Sequence, residues 1–118
     1  MVAWAEQLPG HILAAAYRAP DTSELAWNRA NAVEALRALR AINVPVVGIE
    51  VWLPTIPGPT IPTSPYYGLA IENSASTQDF VSHSIGLATE FVLQFKWDGA
   101  DNANKGLEPF FNFTVGAD

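Results

Sequence analysis

Apolar positions along this chain recur with two different periods, and the changes of period mark its elements. Residues 4 to 19 have the spacing of a short helix, broken at Pro9-Gly10, firmest in HILAAAYRA and stopped by Pro20. From Thr22 to Asn43, residues Leu25, Ala32, Val33, Leu36 and Leu39 share one stripe, and Arg29, Arg37 and Arg40 lie largely off it. That pattern predicts an amphipathic helix over 22–43. Asp21, Thr22 and Ser23 offer N-cap oxygens, and Asp21 with Glu24 has the spacing of a capping box. Asn43 and Pro45 end it.

The period then falls to two. VPVVGIEVWL is β-branched and short, and predicts a strand from Val44 to Leu53. Strict alternation puts Val47, Ile49, Val51 and Leu53 on a core face, with Val46, Gly48, Glu50 and Trp52 on the other. Prolines at 54, 57, 59, 62 and 65 remove regular backbone donors and favour a stiff, extended connection. Tyr66 to Glu72 resumes as a strand, antiparallel to the first. A second long helix, Thr77 to Trp97, is predicted from Phe80, Ser84, Leu87, Ala88, Phe91 and Phe95. A polar loop, DGADNANKG, leads to a strand from Pro109 to Val115. In it Phe111 and Phe113 alternate with Phe110, Asn112 and Thr114.

This order predicts an α+β, two-layer domain with long helices packed on one face of a small mixed β-sheet. A crossover through the second long helix would bring the last strand beside the first. At 118 residues the chain suits a single domain over 1–118, with one core.

Charge changes the picture next. Twelve acidic residues against six basic ones give a formal charge of -6. The one basic cluster, Arg29, Arg37 and Arg40, shares its helix with Glu34, so neither nucleic acid nor an anionic membrane is an expected partner. An acidic surface favours basic proteins instead, or the moderate negative charge serves solubility alone. No run approaches the ~18 apolar residues of a membrane span. The N-terminal stretch carries Glu6 where a signal peptide has basic residues, so a cytoplasmic location is expected. The absence of cysteine removes disulfides, thiol nucleophiles and thiolate metal sites together.

Candidate chemistry is sparse. His83 sits in SHS on a helix, where i,i+1 neighbours do not face each other, and it reads as a solvated surface histidine. His11 stands alone. Nothing matches a zinc motif, a nucleophile elbow or a phosphate loop. Glu50 is the most informative acid: a mid-strand carboxylate is costly to bury without a partner, so either its face is solvated or it is paired and serves a site. Trp52 shares its face, and Tyr66, Tyr67 and Glu72 would return near it across the hairpin. Acidic and aromatic side chains together suit protein recognition.

Four segments, NAVEALRALRAINVPVVGIEVW, SPYYGLAIE, TQDFVSHSIGLATEFVLQF and PFFNFTV, resemble the bacterial polymorphic-toxin immunity proteins, in particular immunity protein family forty. The resemblance covers most of residues 30 to 115. The family's Gly-Gly-Asp-Val element falls on Val47-Gly48-Ile49-Glu50-Val51, with Glu50 for the acid, and its Asn-Trp-Tyr-like element near Pro65-Tyr66-Tyr67, without the Asn and Trp. It implies stoichiometric neutralisation of a cognate, basic toxin in the producing cell, with no catalysis and no cofactor. Glu50, Trp52, Tyr66, Tyr67 and Glu72 are then the candidate toxin contacts. The alternatives are a small ligand-binding or adaptor module, or a small enzyme using His83 or Glu50.

Overall fold

The computed structural model describes residues 6–18, 24–52, 68–71, 77–96 and 108–116. Tyr66, Tyr67 and Glu72, the proline-rich connection and the polar loop before the last strand lie outside these. The elements, in chain order, are α1 (Gly10–Ala15), β1 (Tyr17–Arg18), β2 (Leu25–Asn28), α2 (Arg29–Ala41), β3 (Val46–Trp52), β4 (Gly68–Ala70), α3 (Thr77–Gln94) and β5 (Phe110–Val115). The expected α+β architecture is present: a five-stranded sheet with helices packed against it.

The strand order is β1-β2-β5-β3-β4, and every neighbouring pair is antiparallel. The expected mixed sheet is thus an antiparallel one. Its crossovers do join strands of like direction, but each time with another strand between them. Through α2, β2 leads to β3 across β5, and through α3, β4 leads to β5 across β3. β5 therefore lies beside β3, as expected, and holds the middle of the sheet.

The first long helix is shorter than its periodicity suggests. It begins at Arg29, and Leu25 to Asn28 form β2 instead. Asn28 is the true N-cap, accepting the Asn31 N–H at 3.0 Å on its Oδ1. The strand forms because Leu25, Ala26 and Trp27 are buried, and Ala26 to Asn28 pair with β5. Burial on both sides of a four-residue segment leaves no periodic trace. At the other end the helix closes as a Schellman motif: Asn43 N–H donates to the Arg40 carbonyl and Val44 N–H to that of Leu39. Asn43 takes the left-handed conformation this needs, with φ 60°.

β3 corrects a second expectation. Val46 faces Val115 while Gly48 faces Thr114, so Val47 is the extra residue of a β-bulge. The bulge turns Val46 into the core in place of Val47, which is only half-buried. The Val46 N–H donates to Ser84 Oγ of α3 at 3.1 Å. Ser84, fully buried, donates its own hydroxyl hydrogen bond to the Val81 carbonyl.

The core lies between the helices and one sheet face. Trp27, Phe111, Phe113, Ile49 and Val51 meet Leu36 and Leu39 of α2 and Phe80, Ile85, Ala88 and Val92 of α3. Ala32 and Ala35 are fully buried on α2. Leu87, expected on the buried stripe of α3, is 39% exposed, and the apolar arc runs through Val81, Ile85 and Val92 instead. α1 joins the same layer through Ile12, whose carbonyl accepts the Trp27 indole N–H at 2.9 Å.

Candidate functional site

Residues directly opposite each other in a sheet point to the same face. The register thus gives the face turned away from the core: Tyr17, Ala26, Asn112, Glu50 and Gly68 form one row across all five strands. Gly48, Thr114 and Ala70 form the row on one side, and Trp52, Phe110 and Asn28 the row on the other. Glu50 and Trp52 are on one face, as alternation along β3 requires.

Trp52 is only 2% exposed. Its ring meets Tyr17 edge-on, with centroids 6.4 Å apart, and its indole N–H donates to Glu50 Oε1 at 2.9 Å. This aromatic pair lies apart from the helix-side core. One carboxylate oxygen of Glu50 is therefore held in place by a neighbour on its own strand. The carboxylate is half-buried, and among the described residues it has no cationic partner.

A cavity of about 350 Å³ opens on the same face, lined by Glu24, Val47, Gly48, Ile49, Glu50, Leu69, Ala70, Asn112 and Thr114. Gly48 keeps its floor low, since no side chain rises there between Thr114 and Leu69. Asn112 is buried, and its Nδ2 donates to the Leu25 carbonyl at 2.8 Å. The result is a polar groove crossing β3 and β5, with acceptor groups in its wall. Glu24, Asn112 and Thr114 are members that the sequence does not mark as site residues. The alternation in FFNFTV does put Asn112 and Thr114 on one face, but only the β3–β5 register carries them to Glu50.

His83 is exposed on α3, in the helical layer, and Glu50 is on the opposite side of the sheet, so the fold does not bring the two together. His11 is exposed on α1. No three His, Asp or Glu side chains among the described residues gather where they could hold a metal ion. Among the same residues, no helix is long and apolar enough to cross a membrane. A second concavity, about 340 Å³, lies on the helix side between β4 and α3, lined by Leu69, Leu87, Glu90, Phe91, Gln94 and Phe95.

No family model, curated protein or solved structure matches this chain.

Proposed function

We propose that this chain is an immunity-type binding protein, which neutralises a basic toxin in the cytoplasm of the producing cell by occupying the toxin's active groove. One observation carries the reading: Glu50, a half-buried carboxylate, faces a polar groove and has no cationic partner among the described residues. A charge held this way favours a positively charged group arriving from outside. The formal charge of -6 favours the same class of partner, and attracts it over distance. The resemblance of the NAVEALRALRAINVPVVGIEVW and PFFNFTV segments to immunity protein family forty supplies the biological setting.

Within this reading the two candidate contacts on β3 have different parts. Glu50 meets the toxin, while Trp52 is too buried to be an anchor and instead fixes the Glu50 carboxylate. Tyr66, Tyr67 and Glu72 are the further contacts that the sequence offers. A small-ligand or adaptor module is the second reading, and the apolar concavity between β4 and α3 is what favours it.

The test is co-expression with the product of the neighbouring reading frame. The wild-type chain should rescue growth and co-purify with that product in equal amounts. Folded Glu50→Lys and Tyr66→Ala variants should lose rescue. If both still protect, the binding surface is elsewhere. If the neighbouring product is harmless and does not bind, the immunity reading is wrong.

A further inference from the structure

Asn112 is 6% exposed and stands directly opposite Glu50 on the adjoining strand. Its Nδ2 donates to the Leu25 carbonyl at 2.8 Å, and this acceptor fixes the turn of the amide. The reversed amide would set two carbonyl oxygens against each other. Oδ1 is thus turned away from Leu25, and no donor among the described residues reaches it. Buried amide oxygens are seldom left without a donor.

Beside it, Glu50 gives Oε1 to the Trp52 indole, and its Oε2 likewise meets no donor among the described residues. The two unmatched atoms are both acceptors, one of them charged, and both residues line the same groove. What would satisfy them together is a cation with N–H groups diverging in one plane. An ammonium group is a point charge, whereas a guanidinium presents five N–H donors in a rigid fork.

We propose that Glu50 and Asn112 form a receptor for a guanidinium group, the side chain of an arginine on a basic protein partner. Glu50 Oε2 takes a charge-assisted hydrogen bond, and Asn112 Oδ1 takes one from another nitrogen of the fork. Gly48 leaves the space in which the group lies. The identity of the arginine's owner rests on the immunity reading above; the receptor does not.

Nuclear magnetic resonance on the full chain tests it, with Nα-acetyl-arginine amide as the probe and its neutral citrulline counterpart as the control, at constant ionic strength. The Asn112 side-chain amide and Trp52 indole N–H signals should shift saturably with the arginine compound. The citrulline compound should bind about tenfold more weakly or worse, having lost the charge-assisted bond. Glu50→Gln keeps an acceptor for the indole but loses the charge, and should weaken binding of the arginine compound by a similar factor. Gly48→Val should abolish it, since a Cβ at position 48 makes only ordinary contacts, 3.5 Å from Thr114 Cβ, and its methyl groups would occupy the groove. No saturable shift in the wild-type chain, an equal response to citrulline, or undiminished binding by folded Gly48→Val would mean that solvent alone satisfies these acceptors. The outcomes separate the two proposals. If the arginine compound binds but the neighbouring reading frame encodes no toxin, the receptor stands and the immunity reading fails. If toxin neutralisation holds without any arginine response, the receptor fails and the immunity reading stands.

Discussion

Arg29, in the first turn of α2, donates from its guanidinium to the Val92 carbonyl in the last turn of α3 at 2.6 Å. The same group reaches the carbonyls of Leu93 at 3.1 Å and Phe95 at 3.0 Å, and lies 6.0 Å from the centroid of the Phe111 ring. A helix C-terminus leaves carbonyls without intrahelical partners and carries partial negative charge. Arg29 answers both at once. At the opposite end of the pair, Arg40 of α2 donates to Ser82 near the start of α3. The two long helices are therefore antiparallel and stitched at each end by an arginine, one group fully engaged and one at the surface.

Arg29→Ala should lower stability by about 2–3 kcal/mol, the scale of lost hydrogen bonds to a charged group together with the helix-end charge. Arg29→Lys should recover only part, because an ammonium cannot span three carbonyls as the fork does. Urea denaturation followed by far-ultraviolet circular dichroism reads both. Arg40→Ala, at the exposed end, should cost under about 1 kcal/mol.

Ser84→Ala should destabilise the fold by about 1–3 kcal/mol, since it strands the Val46 N–H in the core with no acceptor. The loss exceeds what removing one hydroxyl suggests, because next to the bulge the Val46 N–H is turned to Ser84 and would be left buried without it. Hydrogen exchange at the Val46 amide should quicken more than that of its neighbours. An unchanged exchange rate there would show that the hydroxyl does not hold the bulge.

Two helix positions should respond in opposite ways to alanine. Gly86→Ala should stabilise by about 0.5–1 kcal/mol, because position 86 is in the interior of α3, is exposed, and has nothing within 4 Å of an added Cβ. Asn43→Ala should cost about 1 kcal/mol, since its left-handed backbone disfavours a Cβ with no compensating polar group. Asn43→Gly should cost nothing. Thermal melts of the three variants decide the matter.

Glu50→Gln should leave stability within about 0.5 kcal/mol of wild type, for the amide oxygen can still accept the Trp52 N–H. Glu50→Ala should cost about 1–3 kcal/mol by leaving that buried indole donor unmet. Equal melting temperatures for the two variants would show that the indole bond contributes nothing to the fold.

Sequence pattern foresaw α2 and α3 because each has several turns of apolar periodicity, and β3 and β5 because β-branched and aromatic runs alternate there. The pattern predicts helix over Leu25 to Asn28 for a physical reason. Leu25 continues the stripe of Leu36 and Leu39, and nothing local reports that Ala26 and Trp27 are claimed by β5. The bulge at Val47 was equally hidden, as one inserted residue inverts the alternation without altering composition. At the candidate site, Glu50 and Trp52 were legible as a pair on one face. Their hydrogen bond, the burial of Trp52 and the arrival of Asn112 depend on pairing across the sheet. Glu50 and Asn112 are opposite each other across the sheet although 62 positions separate them in sequence.

The central place of β5 has a consequence for how this protein comes into being. During synthesis β2 and β3 emerge early, yet neither has the other as a neighbour, and the strand that bridges them is made after both. Until β5 is delivered, β2 and β3 lack the neighbour they share, the sheet cannot close, and there is no groove between Glu50 and Asn112. Assembly of the sheet is thus a single late insertion, and closing so long a loop makes it slow relative to helix formation. The same architecture makes the molecule divisible. A fragment ending at Lys96 and a separate peptide carrying Phe110 to Val115 should then recombine, and recovery of binding on mixing them would report the insertion step directly.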